Sequence, residues 1–299
     1  MVVAAEGPPQ RKPAPTAAAT EPGRGRQIWL CADDYGISAG VNTAIRDLVA
    51  RGRINATSVM VTAPSFYRSE AIALAILNGS KRRVAIGLHL TLTAPFRPLS
   101  EEFLPLREGA FLPLTATLAR ACLRRFKQDA LRSEITSQLR MFLHTFGHLP
   151  DFFDGHQHVQ LFPQIRDAVL EVARDMAPEA WVRQCGRRVP LPQRIGDPKG
   201  FLLDLLSRPF RERAAELGVR TNPAFAGTYG FHDRTDFAAL FPRFLDRMAD
   251  GGVVMCHPGF VDADLQRLDP LTALREREYA FFIDDCFPTV LARHGVVLA

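Results

Sequence analysis

Along this chain, short continuous apolar runs alternate with longer stretches in which apolar side chains recur every three or four residues. The first run, QIWLCAD at 27–33, ends in carboxylates and predicts a buried strand. Behind it Ile37, Val41, Ile45, Leu48 and Val49 fall on one helical face, and Gly52 stands where a helix C-cap belongs. The unit recurs in NATSVMVTA followed by 66–78, and RVAIGLHLTL at 83–92 reads as a third strand. DFFDGH predicts a strand before a helix whose inward positions are Ile165, Val169, Val172 and Met176. AWVRQ at 180–184, GGVVMCHP at 251–258 and the closing GVVLA read as further strands. Amphipathic helices are expected at 130–146 and 236–249, the second kinked or restarted at Pro242, which lacks the N–H an interior position needs. A last helix is expected over 271–293.

Apolar strands alternating with helices imply a parallel sheet covered on both faces. Six or seven such units in about 270 residues favour closure, so the expected fold is α/β: a distorted parallel (β/α) barrel, TIM-barrel-like, of about seven strands.

Composition narrows the picture. Residues 1–26 are rich in Ala, Pro and Gly and cannot offset the entropy of ordering, so they are expected to be a disordered tail, with 27–299 forming one barrel domain. Residues 93–126, with scattered prolines, leucines and phenylalanines, read as a lid or insertion over the active face. The five cysteines have no C-x-x-C spacing, which excludes a disulfide framework and a thiolate zinc site and leaves mostly buried thiols. The net charge of +5, of which the tail carries +2, is too mild and dispersed for a nucleic-acid footprint. With no apolar run of spanning length and no secretory h-region, the expected location is cytoplasmic.

Polar chemistry collects at the strand ends: Asp33 and Asp34 after the first, His89 in the third, His156 and His158 beside Asp154, and His257 after VVMC. A parallel barrel brings such ends to one mouth. In the doublet, one carboxylate can bind a cation while its neighbour takes a proton from water; the competing reading is a helix N-cap. His89 alone would read as a core histidine. With a second histidine and a carboxylate at the same mouth it becomes a ligand candidate, because an N/O set of three leaves positions open for water and substrate. The i, i+2 spacing puts His156 and His158 on one side of an extended segment, and His257 suits protonation of a leaving amine. G-x-S-x-G, Walker-type and G-x-G-x-x-G loops at the first strand are absent from the sequence.

Four segments, ADDYGIS at 32–38, GLHLTLT at 87–93, DGHQHVQLFP at 154–163 and VMCHPGFVD at 254–262, together resemble the YdjC/ChbG family of carbohydrate deacetylases, most closely its hopanoid-biosynthesis-associated (HpnK) branch. The resemblance implies metal-dependent N-deacetylation of an N-acetylated amino sugar carried on a hopanoid glycolipid. It implies one divalent ion, Mg2+ or Zn2+, on Asp34, His89 and His156, with Asp33 as base and His257 as acid. His158, Arg183 and Tyr35 are the expected substrate contacts, Arg183 alternatively a carboxylate partner. Where the family often reads H-H-H-V-H, Gln157 and Gln160 replace two histidines here. Expected partners are the acetylated sugar, a membrane surface touched peripherally through 103–126 and a second copy of the chain. Two other readings stay open: a metal hydrolase of another bond, such as a chitooligosaccharide amide or a phosphoester, and a non-catalytic glycan- or lipid-binding barrel.

Overall fold

The structure, a computed structural model, describes residues 25–78, 84–187, 197–230 and 235–299. Residues 1–24 of the expected tail lie outside the described residues. The first strand begins at Arg26, one position before the expected boundary, where its guanidinium donates to the Met248 and His294 carbonyls at 2.6 Å.

The strands are β1 (Arg26–Tyr35), β2 (Ala56–Val59), β3 (Ala85–Leu90), β4 (Phe152–Gly155), β5 (Trp181–Val182), β6 (Phe225–Ala226), β7 (Gly252–Cys256) and β8 (Val296–Leu298). All pair in parallel, in the order β5-β4-β3-β2-β1-β7-β6, so seven strands curl around in chain order. Between β5 and β6 closure consists of isolated bridges at Val182–Thr221 and Arg187–Phe225, which is the distortion of the barrel. β8 pairs with the first residues of β1, Arg26–Ile28. β1 to β4 and β7 are buried almost throughout, as strands with both faces covered must be.

The helices are α1 (Ala39–Ala50), α2 (Arg68–Asn78), α3 (Leu114–Cys122), α4 (Gln128–Phe146), α5 (Ile165–Met176), α6 (Pro198–Leu217), α7 (Phe237–Leu245), α8 (Ala263–Leu268), α9 (Ala273–Ile283) and α10 (Cys286–Arg293). The predicted inward face of α1 is buried, and Gly52, at φ 63°, donates to the Val49 carbonyl just past its end.

Two expectations are corrected. The helix expected over 236–249 stops at Leu245 and holds Pro242 inside it rather than starting afresh there. The single last helix is two, α9 and α10, because Asp284 leaves the helix in extended conformation and its carboxylate accepts from the Cys286 N–H at 2.7 Å. That break lets Phe281, Phe282 and Phe287 meet Phe237 and Phe241 of α7 in one aromatic cluster. Each such ring contributes roughly 1.5–3 kcal/mol by leaving water. The 93–126 segment is irregular up to α3 and buries Phe96, Phe103, Phe111 and Phe126 against the barrel. Among the cysteines, Cys31, Cys185 and Cys256 are buried thiols, whereas Cys122 and Cys286 are exposed.

Candidate metal centre and active site

The end of β1 is a bulge. Its register with β2 shifts between Ala32 and Tyr35, and Asp34 adopts φ 69°. Successive residues of a regular strand point to opposite faces, so the bulge is what lets Asp33 and Asp34 both face the barrel interior while Tyr35 turns outward. Neither carboxylate caps α1; that role falls to Ser38, whose hydroxyl accepts from the Val41 N–H at 3.3 Å. The expected substrate contact at Tyr35 is therefore corrected: its hydroxyl donates to Glu70 and receives a hydrogen bond from Arg46, between α1 and α2.

Asp34 is the hub. Its Oδ1 lies 3.2 Å from His89 Nε2 and 3.0 Å from His156 Nδ1, and its Oδ2 accepts from Arg275 at 2.6 Å. One ligand atom from each of Asp34, His89 and His156 falls within 4.8 Å of the others, and all three residues are buried. Burial opposes charge on Asp34, but Arg275, His156 and His89 together hold its carboxyl well below the usual carboxylate range.

His89 is anchored behind. Its Nδ1 lies 2.7 Å from Asp154 Oδ1, its neighbour in the β3–β4 register, and 3.0 Å from Ser58 Oγ. Burial disfavours the imidazolium, yet Asp154, Asp34 and Asp33 outweigh it and push the pKa up to about 10. Loss of the Nε2 proton would present a lone pair beside Asp34 while the Nδ1–H stays on Asp154, the carboxylate–histidine arrangement that orients metal-binding imidazoles.

Asp33 is gripped by Arg183, whose Nη1 donates to Oδ2 at 2.6 Å and Nη2 to Oδ1 at 2.8 Å. The same guanidinium is 2.6 Å from Asp154 Oδ2. Arg183 is thus the carboxylate partner of the two alternatives, only 1% exposed, and does not line the cavity. Burial raises the Asp33 pKa, with Asp154 adding to it, against the pull of Arg183. Cys31, Asp33 and Asp154 also form a compact group, but Arg183 already supplies its countercharge and burial keeps Cys31 a thiol, so it is a salt-bridge centre.

His156 and His158 do not share an extended segment as the spacing suggested. Gln157 and His158 both adopt positive φ, 55° and 62°, and turn the chain through a short 3-10 helix, His156–Leu161. His156 meets Asp34 and the edge of Phe96, whereas His158 Nδ1 faces Cys185 Sγ at 3.5 Å. Burial, then the charges of Lys199 and Arg183, hold His158 neutral, its pKa well below the ordinary value. Gln160, one of the two substituted positions, is buried and donates to the Arg183 carbonyl at 3.2 Å. His257 follows β7; burial, with Arg275 and Lys199, pushes its pKa down as well, although Asp34 opposes them.

These groups surround a cavity of about 290 Å³ lined by Asp33, Asp34, His89, His156, His158 and His257, and on its far side by Lys199, Asp269 and Leu271. A larger cavity of about 1040 Å³ lies between Trp29, Trp181 and Ala299. It sits at the N-terminal ends of the strands, the end that parallel barrels devote to stability rather than chemistry.

The family model for YdjC-like protein matches residues 27–293. The chain belongs to the YdjC-like family. Over 277 residues it is 25% identical to a carbohydrate deacetylase of Clostridium beijerinckii, covering 87% of this chain and 95% of that one. Two solved structures resemble it in shape. A protein of Enterococcus faecalis named for cellobiose-phosphate cleavage superposes with TM-score 0.70 at 21% identity, covering 92% of this chain and 97% of the other. The lactam utilization protein of Thermus thermophilus follows at TM-score 0.50 and 12% identity, covering 91% and 98%. At these identities the likeness concerns the fold.

Sequence reasoning missed Ser58, Arg275, Glu278, Lys199 and Asp269 around this YdjC-like site. Ser58 lies in an apolar run that gave no reason to single out a hydroxyl. The other four belong to helices or loops, where charged residues are ordinarily solvated.

Proposed function

We propose that this protein is a metal-dependent N-deacetylase acting on an N-acetylated amino sugar. The observation that carries the reading is the buried trio Asp34, His89 and His156, drawn from β1, β3 and the turn after β4, at the inner end of a cavity that also exposes Asp33 and His257. One carboxylate oxygen and two imidazole nitrogens suit a divalent ion such as Zn2+ or Mg2+ and leave coordination positions free. Bound there, the cation supplies Lewis acidity to the acetyl carbonyl and acidifies water.

The chain's own groups do the rest. Asp33, oriented by the Arg183 fork, accepts the proton of the attacking water. His257 starts neutral, gains proton affinity as negative charge develops at the carbonyl, takes up across the shared cavity the proton that Asp33 has removed from water, and passes it to the amide nitrogen. The C–N bond then breaks to release acetate and a free amino sugar. His158, with Nδ1 turned to Cys185, keeps its other nitrogen for a sugar hydroxyl.

The finer reading puts the sugar on a hopanoid lipid, in line with the HpnK-like sequence pattern. Exposed Leu104 and Leu123, together with Arg120, whose guanidinium lies over the Phe126 ring, are the part of 103–126 that would touch a membrane. No helix among the described residues is long and apolar enough to cross one.

The test is acetate release from free chitooligosaccharide and from glycosylated hopanoid across a panel of divalent ions, with liposome co-sedimentation alongside. Acetate release that depends on the ion supports the deacetylase. Phosphate release from a phosphoester without acetate from either sugar would replace it with the rival hydrolase.

A further inference from the structure

Helix α9 carries two fully buried, oppositely charged side chains three residues apart, Arg275 and Glu278. Burying one charge is costly and burying two on one helix face costs more, so the positions call for partners that offset them. Those partners come from β1, from the stretches just past β7 and β6, and from the end of α8. The Arg275 guanidinium donates to Asp34 Oδ2 at 2.6 Å and to Asp269 at 3.1 Å, leaving Oδ1 of Asp34 to the two imidazoles. Glu278 Oε2 accepts the backbone N–H of His257 at 2.5 Å, and Oε1 accepts from the Tyr229 hydroxyl.

We propose that α9 is a strut that sets the catalytic end of the barrel, with Glu278 a positioning residue for His257 and Arg275 a positioning residue for Asp34. The inference rests on the deacetylase reading for the roles of those two partners, not for the contacts themselves. A residue just past a strand has no ladder partner to hold its peptide plane. Without that carboxylate the His257 N–H would have to turn elsewhere and its peptide plane would have more freedom to tilt, carrying the imidazole with it. Glu278 removes that freedom from inside the core, and Tyr229 locks the other carboxylate oxygen. Tyr229 reaches it from the stretch after β6, so two neighbouring segments converge on the one carboxylate that α9 presents.

The role needs a hydrogen-bond acceptor at this position rather than a charge, so the conservative variant separates positioning from bulk stability. Glu278→Ala should lower kcat about 10–100-fold with KM within about threefold, while Glu278→Gln, which keeps an acceptor oxygen, should stay within about threefold of wild type. In ion-free protein the His257 amide proton resonance should move upfield in Glu278→Ala and stay near its wild-type position in Glu278→Gln. Arg275→Met should bind Zn2+ about 10–100-fold more weakly, with Arg275→Lys recovering part of the loss. A folded Glu278→Ala with wild-type kcat, or an unmoved His257 amide in it, overturns the role of Glu278; Zn2+ affinity unchanged in Arg275→Met overturns that of Arg275. A wild-type protein that releases no acetate would instead sink the deacetylase reading, and the amide resonance would still decide whether the strut exists.

Discussion

His89 Nδ1 and Asp154 Oδ1 stand 2.7 Å apart across the β3–β4 register, with the opposite ring nitrogen 3.2 Å from Asp34. This pairing decides which nitrogen can bind an ion. Asp154→Asn removes the charge and offers an amide N–H that competes for the same ring nitrogen. Zn2+ affinity by calorimetry should fall about 10–100-fold; an unchanged affinity would mean that Asp154 does not orient the ring.

In the proposed reaction Asp33 is a proton acceptor rather than an ion ligand. Asp33→Asn should keep its metal, measured by elemental analysis, and lose at least about 10²-fold in turnover of an N-acetylated sugar. Near-normal turnover would remove Asp33 from the base role.

Arg183 is the common countercharge of Asp33 and Asp154, and all three are buried. Arg183→Met leaves buried Asp33 without its ion-pair partner and Asp154 with only His89 opposite it. Urea denaturation at neutral pH should show a loss of about 3–5 kcal/mol, and a stability equal to wild type would contradict the pairing.

Glu278 predicts a pH dependence. Burial pushes its pKa up from 4.5 to about 7 against the hydrogen bonds of Tyr229 and the His257 N–H and the charge of Arg275. Between these values the folded chain holds a proton that the unfolded chain has released. The group's contribution to stability is therefore complete below 4.5 and is lost as pH rises towards about 7. Glu278→Gln has no such loss, so its urea midpoint relative to wild type should be higher at about pH 8 than at about pH 5. A relative midpoint that does not move, or moves the other way, would show that Glu278 is ionised throughout.

How much of this was legible in the sequence follows from where each residue sits. Asp33, Asp34, His89 and His257 stand in or just after apolar runs, and a run that ends in a polar residue marks a strand end. The barrel could be read from the same runs, but not its closure, because β5 and β6 are two residues each and are joined by single bridges. Tyr35 was misplaced because strand alternation carries no sign of the bulge at Asp34. Arg275 and Glu278 were invisible because ALREREYAFFI sets four charged residues in a row between apolar ones without one clear stripe, and charged helical positions are ordinarily solvated. Their partners are long-range in sequence, 241 residues apart for Arg275 and Asp34, a relation no local pattern encodes.

The most direct test of the central claim is the metal content of wild type, Asp34→Ala, His89→Ala and His156→Ala after loading with Zn2+ and exhaustive dialysis. The account predicts a single tightly held ion per wild-type chain and a substantial loss in each variant. A wild-type chain that keeps no ion, or three variants that keep it as fully as wild type, would contradict it.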